Sequence, residues 1–326
     1  MSGWIVAISA MVTGLLLLAW QRRSLVRLVV DVLRRRRGRV IYDPEGRVSI
    51  STDGRQTVLT ATEVIKQQLP AVAVIEAEKT RLAGLIAART ELFDVPGIIG
   101  GRSDQGRIVF ERVHGVVPLW TWLVGCRHAD GCAMAERAGR ALAVIHGSLK
   151  LPPDLGESLR APWRVESARL AGVPITADHE VALHGDFNAW NLLVADDGQR
   201  LLITDWAGSD LCTPTVVRGP WVFDAAWLVI TLFRSRLGWI ERIADAESFA
   251  GAFLESYAAA RQLPEAPAVC GAYLASRSEV LSRPEIRGRR SQWLRPRLDV
   301  ERLERFAVEL VNSGSGARGT NRQRAA

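Results

Sequence analysis

The stretch Leu183-His184-Gly185-Asp186-Phe187-Asn188-Ala189-Trp190-Asn191-Leu192-Leu193-Val194, followed by Leu202-Ile203-Thr204-Asp205-Trp206, decides how this 326-residue chain is read. An apolar run leads into His-Gly-Asp, an Asn follows five residues after that Asp, and a second Asp follows fourteen residues after the Asn. Phosphoryl transfer asks for this set of side chains. One carboxylate orients the acceptor hydroxyl, while an amide and a second carboxylate hold Mg²⁺ against the nucleotide phosphates. Asp186, Asn191 and Asp205 are the right types in the right order. Leu192-Leu193-Val194, Asp196-Asp197-Gly198 and Leu201-Leu202-Ile203 read as strand, turn, strand, a hairpin that returns Asp205 to the loop carrying Asp186 and Asn191. An ordinary hairpin with incidental turn acids would explain any one of these residues. It does not explain all three at this spacing.

On these residues the segment resembles the aminoglycoside phosphotransferase and choline kinase family, the small-molecule branch of the protein-kinase-like fold. That family's motif is His-Gly-Asp-x4-Asn followed by Asp-Trp or a similar pair. The resemblance implies an α+β, bilobal fold with a small β-rich N-lobe and a mainly helical C-lobe, with ATP and Mg²⁺ between them. It also implies that Asp186 is catalytic, that Asn191 and Asp205 are the metal ligands, and that His184 braces the loop. Weaker matches flank the centre. Ile108-Val109-Phe110-Glu111-Arg112-Val113-His114-Gly115 resembles the strand leading to the interlobe hinge, and Ala141-Leu142-Ala143-Val144-Ile145-His146 the helix before the catalytic loop. Gly219-Pro220-Trp221-Val222-Phe223-Asp224 resembles the segment anchoring the next helix, so the resemblance spans roughly residues 70–260. Two departures bear on the acceptor. Ala207 stands where many relatives have Glu after Asp-Trp, and Ala189 and Trp190 replace small or Pro residues within the loop.

The nucleotide-gripping lobe needs a strand cation for the phosphates and a helix carboxylate to hold that cation. Of the 42 Lys and Arg residues only Lys66, Lys79 and Lys150 are lysines, and Lys66 lies ahead of a candidate helix at residues 71–89. On that helix Ile75, Leu82, Leu85 and Ile86 share a face at 3.6-residue spacing, with Glu78 on its edge and Glu76 pointing away. Glu78 is therefore the expected partner of Lys66. A competing pattern is Thr60-Ala61-Thr62-Glu63, which fits a capping box and would put Lys66 on a short surface helix ending at Pro70. No Gly-rich loop is present, since Gly46 and Gly54 sit singly in turn sequences.

Residues 3–20 carry no charge, and as a helix they would measure about 27 Å, close to the ~30 Å of a bilayer core. Trp4 and Trp20 bracket them as interface aromatics do. Eight arginines and one aspartate follow by residue 39, a net +7 that equals the charge of the whole chain. Residues 40–326 are thus neutral, and the basic character belongs to the segment beside the apolar run. Positive charge on that side predicts a single-pass inner or cytoplasmic membrane anchor with the catalytic body in the cytoplasm. Lipid contacts are expected through residues 3–39, and no nucleic-acid partner is expected. A buried helix, or a start site placed too early, would also account for the apolar run. The basic amino-terminal region and small-residue cleavage site of a secretory signal are missing.

These boundaries give an anchor and basic segment at 1–39, an N-lobe at 40–117, a C-lobe at 118–311 and a disordered tail at 312–326. Helices are expected at 223–233, 244–260, 267–281 and 300–311. Cys126, Cys132, Cys212 and Cys270 have no paired spacing and read as reduced thiols. The sequence points to an ATP-dependent phosphotransferase with a small-molecule, glycan or lipid-linked hydroxyl acceptor. A membrane-tethered pseudokinase acting as an interaction protein is the alternative, favoured by the ambiguous Lys66 and the missing Gly-rich loop.

Overall fold

The computed structural model describes residues 41–42, 48–52, 55–164, 169–170, 173–174, 180–195, 197–209, 212–236, 241–283 and 297–323. The expected anchor lies outside the described residues. Among the described residues, no helix is long and apolar enough to cross a membrane.

The small lobe is an antiparallel sheet. Its strands are β1 (Ile41–Tyr42), β2 (Val48–Thr52), β3 (Arg55–Leu59), β4 (Glu63–Gln67), β5 (Ile98–Arg102) and β6 (Arg107–Glu111), in the order β1-β2-β3-β4-β6-β5. Ile108, Val109 and Phe110 of β6 are buried, as expected of a β-branched and aromatic run in a strand paired on both sides. Helix α1 (Pro70–Ala87) opens on a proline, whose fixed φ suits the first turn, and packs Ala73 against Ile108 and Phe110.

The capping pattern at Thr60 is used differently from the helical alternative. Thr60 Oγ1 does accept a hydrogen bond from the Glu63 backbone N–H, at 2.9 Å. The bond closes the turn between β3 and β4, and residues 63–67 pair on both sides, with Thr57↔Lys66 and Lys66↔Ile108 in register. Local cap chemistry suits either outcome, and the two flanking strands decide for the sheet.

Strand β7 (Val116–Pro118) leads into the large lobe and joins the hairpin of β12 (Leu192–Ala195) and β13 (Leu201–Ile203), in register Leu192↔Ile203. Helices α2 (Leu119–Leu123) and α3 (His128–Ser148) follow β7. Short strands β8 (Glu157–Ser158), β11 (Glu180–Ala182) and β14 (Val216–Pro220) form a second sheet, and β9 (Arg169–Leu170) pairs with β10 (Val173–Pro174). Helix α4 (Val222–Leu232) is buried along its whole length, in keeping with its nearly all-apolar sequence. Strands β15 (Arg234–Arg236), β16 (Glu241–Arg242) and β17 (Arg297–Leu298) form a third small sheet. Helices α5 (Ala246–Arg261), α6 (Ala266–Ser276), α7 (Ser278–Leu281) and α8 (Val300–Gln323) complete the lobe.

Two expectations change. The helix expected at 267–281 is broken into α6 and α7 at Arg277, whose ψ of 5° leaves the helical range. The last helix continues to Gln323, through residues expected to be disordered. No proline after Pro296 forces it to stop.

Helices α3 and α5 cross closely at Gly139, where an added Cβ would overlap Ser256 Oγ and the Phe253 carbonyl oxygen. Neither is the loose end of a long side chain, so the helices must separate to admit one. Gly139→Val is expected to destabilise the fold by about 1–3 kcal/mol, read as a lower urea midpoint at unchanged slope.

Candidate active site

The catalytic loop is held by its backbone. Asp224, in the first turn of α4, accepts the His184 N–H at Oδ2 (2.7 Å) and the Gly185 N–H at Oδ1 (2.9 Å). His146 of α3 meets Asp224 Oδ2 through Nε2 at 3.1 Å and the Tyr257 hydroxyl of α5 through Nδ1 at 2.9 Å. Burial would push the Asp224 carboxyl up, but hydrogen bonding and charge from His146 hold it below its usual range. Gly185 has a φ of +86°, and a Cβ there would come within 3.1 Å of Gly208 Cα. Glycine is the residue that fits. His184 is buried against Trp206, with ring centroids 4.6 Å apart, and accepts the Asp186 N–H at Nδ1. Burial, then the nearby Lys79 ammonium, push its pKa down to about 3, so it is a neutral brace.

Asn188 shapes the turn that follows. Its Oδ1 accepts the backbone N–H groups of Trp190 (2.8 Å) and Asn191 (3.1 Å). Asn191 donates from Nδ2 to the Asp186 carbonyl (3.0 Å) and to Asp186 Oδ2 (2.8 Å). Trp227 of α4 donates its indole N–H to the other carboxylate oxygen, Asp186 Oδ1, at 2.8 Å. Burial and the negative charge of Asp205 push the Asp186 pKa up to about 6, against the pull of these donors.

Asp205 ends the hairpin with a φ of 61°, a left-handed conformation that Asp tolerates better than most residues. It faces Lys66 of β4, whose Nζ lies 2.6 Å from Asp205 Oδ1 and 2.5 Å from Glu76 Oε1. Burial alone would lower the Lys66 pKa, but the two carboxylates outweigh it and raise it above the usual lysine range. Removal from water would raise the Asp205 pKa, but Lys66 dominates and lowers it. Lys66, Asp186 and Asp205 line one cleft of about 390 Å³, together with Arg55, Thr57, Gln68 and Ser209. Lys66, Asp186 and Asp205 thus share one cleft, and Asn191 is tied to it through its hydrogen bonds to Asp186.

Glu78 is not at this site, which corrects the expectation that it partners Lys66. It is ion-paired to Arg81 on the helix surface, at 2.7 Å. Glu76 takes its place, with a side chain 1 % exposed, holding Lys66 through Oε1 and Gln68 Nε2 through Oε2 at 2.7 Å. The apolar spacing finds only part of the inward face: Ile75 is buried and Leu82 and Ile86 pack against the core, but the buried face extends to the Glu76 side. Leu85 is 53 % exposed, whereas Val72, Glu76, Lys79, Thr80 and Ala83 turn inward.

Lys79 is a further polar residue on this buried face, one that no sequence motif marks. It is fully buried and donates to the His184 carbonyl at 2.6 Å, tying α1 to the catalytic loop. Burial pushes its pKa down to about 8. Its signal was a lysine three residues after Glu76, one helical turn along the same face.

Residues 148–268 match the phosphotransferase enzyme family. The family resemblance read from the sequence holds over this segment. It contains the catalytic loop, the hairpin, Asp205 and Asp224. No curated protein matches the sequence. Among solved structures the chain is similar to a choline/ethanolamine kinase family protein from Mesorhizobium loti, at 14% identity over 82% of this chain and 87% of that one, with a TM-score of 0.44. It is also similar to aminoglycoside phosphotransferase APH(3'')-Id from Streptomyces rimosus, at 16% identity over 82% and 92% of the two chains, with a TM-score of 0.41. A glucosamine kinase solved with glucosamine, ADP and inorganic phosphate is 16% identical over 86% and 82%, with a TM-score of 0.42.

The two glutamates should separate cleanly. Glu76→Ala removes the helix partner of a largely buried lysine and is expected to destabilise the protein by about 1–3 kcal/mol. Glu78→Ala removes one exposed helical pair and should change stability by less than about 0.5 kcal/mol. Urea denaturation of the two variants measures both.

Proposed function

We propose that the protein is an ATP- and Mg²⁺-dependent phosphotransferase that moves the γ-phosphate to a hydroxyl of a small-molecule acceptor. The observation carrying this reading is the contact of Lys66 Nζ with both Glu76 and Asp205. It brings the sheet cation, its helix carboxylate and the hairpin carboxylate to one point in the cleft. The same contact weighs against the interaction-protein alternative, which drew on the lack of an identifiable phosphate lysine.

The donor set fits Mg²⁺. Asn191 directs its amide nitrogen to Asp186, leaving its carbonyl oxygen for a cation, and Asp205 adds a hard carboxylate oxygen. Bound there, Mg²⁺ would offset charge on the nucleotide phosphates. Lys66 would meet the phosphates from the sheet side. Asp186, its two oxygens fixed by Trp227 and Asn191, would accept the hydrogen of the acceptor hydroxyl. The acceptor oxygen would bond to the γ-phosphorus as the bond to the ADP oxygen breaks, and the proton would pass to Asp186.

The finer acceptor class rests on the chain before the described body. The uncharged run 3–20 and the arginines up to Arg39 support a single-pass anchor that keeps the enzyme at the cytoplasmic face of the membrane. An anchored kinase meets lipid-linked glycans or headgroups at high local concentration, and these are the acceptors we favour.

Binding and chemistry should separate in variants. Wild-type protein is expected to gain thermal stability with Mg·ATP. Asp186→Asn should keep that shift while losing about 10²–10⁴ in kcat, whereas Asp205→Asn should lose the shift. A wild-type protein with no Mg²⁺-dependent shift would overturn the enzyme reading.

The pH dependence has a definite sign. Asp186 must be ionised to accept a proton, so kcat/KM should fall tenfold per unit as pH drops below about 6. Trp227→Phe removes a donor that favours the ionised form, and should move this acid limb upward by about one unit or less. Deleting residues 1–22 should release the protein from the membrane fraction. Soluble full-length protein in the absence of detergent would end the anchor proposal.

A further inference from the structure

The β2–β3 hairpin of the small lobe, whose turn lies at the Arg55 end of the sheet, has too little chain to cover a triphosphate with backbone amides. Thr52 and Arg55 are register partners across β2 and β3, which leaves only residues 53 and 54 to connect the strands. A Gly-rich loop works by pointing several successive N–H groups at the phosphates, and a two-residue connection cannot supply that row. Side chains must do this work instead.

The sheet register shows which side chains are placed for it. Arg55 and Thr57 lie two apart on β3 and project to the same face. Thr57 is directly opposite Lys66 on β4, so Lys66 shares that face. All three line the cleft with Asp186 and Asp205. Lys66 already divides its charge between Glu76 and Asp205. The positive charge of Arg55 also acts on the Asp205 carboxylate. The cleft therefore has a second cation, at the start of the strand that follows the short connection.

We propose that Arg55 is a phosphate-binding residue, whose guanidinium takes the terminal phosphate oxygens of the nucleotide where a Gly-rich loop would offer backbone amides. A guanidinium suits the task because its planar fork can give two N–H groups to one phosphate, and it stays charged at any working pH. The inference rests on the phosphotransferase reading above. It adds that the small lobe grips the nucleotide through two side-chain cations, Lys66 and Arg55, both set by strand register.

The test compares ATP, ADP, AMP and inorganic tripolyphosphate, each with Mg²⁺, by calorimetry or thermal shift on full-length protein. Arg55→Met is expected to weaken ATP and tripolyphosphate binding by about 10- to 100-fold, the range for a lost charge-assisted hydrogen bond. ADP should be weakened less and AMP hardly at all. Arg55→Lys should recover part of the loss, since it keeps the charge without the fork. Unliganded unfolding temperatures of both variants report whether the sheet is intact. If Arg55→Met unfolds, the Arg55→Lys comparison of ATP with AMP decides alone: equal affinity changes for the two overturn the proposal. Wild-type protein that binds Mg·ATP, with Arg55→Met binding it equally well, overturns the Arg55 assignment and leaves the phosphotransferase reading standing. Wild-type protein that binds no nucleotide overturns both.

Discussion

A single buried carboxylate organises this molecule. Asp224 is fully enclosed, and a carboxylate in that setting is costly unless its oxygens are met by donors. Here both are met: by the His184 and Gly185 backbone N–H groups and by the His146 ring, with the N-terminal end of α4 adding its favourable dipole. The donors come from separate parts of the chain, so satisfying one charge brings α3, α4 and the catalytic loop together. Tyr257 extends the arrangement to α5 through His146. The loop is thus fixed by its main chain, and its side chains remain available for chemistry.

Helix α4 also acts through its next turn. Asp224 and Trp227 lie three residues apart, hence on one face. The first holds the backbone of the loop, and the second holds the Asp186 carboxylate at 2.8 Å. The helix that secures the loop therefore also aims the proposed base. The cost shows in Asp186, whose pKa of about 6 exceeds the usual carboxylate value because burial and Asp205 disfavour its charge. Above that pH the ionised carboxylate strains the folded state, a common feature of groups placed for chemistry rather than stability.

The sequence was most legible where chemistry fixes both residue type and spacing. The strand, turn and strand expected between Asn191 and Asp205 are met by the β12–β13 hairpin, in register Leu192↔Ile203, because so short a connection leaves little freedom. The apolar helices of the large lobe were readable for a similar reason, since α4 has few polar residues to expose. Polar burial was not readable. Helix α1 turns Glu76, Lys79 and Thr80 inward and leaves Leu85 exposed, so the rule that finds the apolar face selected Glu78. The rule fails there because the inward face is mixed: Ala73 and Ala83 join hydrophobic clusters, while Glu76 and Lys79 are buried by their contacts with Lys66 and the His184 carbonyl. The Thr60 turn was ambiguous for another reason: one hydroxyl–amide bond serves a helix start and a strand connection equally well. Only pairing with β3 and β6, which is distant in sequence, resolves it.

The buried polar face of α1 links the small lobe to the catalytic loop. Glu76 and Lys79 are separated by three residues and lie on one side of α1. Glu76 reaches across to Lys66, and through Lys66 to Asp205, while Lys79 reaches directly to the His184 carbonyl. A single rigid helix thus positions both the sheet cation and the catalytic loop. Burial lowers the Lys79 pKa to about 8, yet the contact with His184 does not depend on its charge, because a neutral amine still has N–H groups to donate. The link from small lobe to loop is therefore retained as Lys79 titrates, while the contacts of Lys66 with Glu76 and Asp205 depend on its charge.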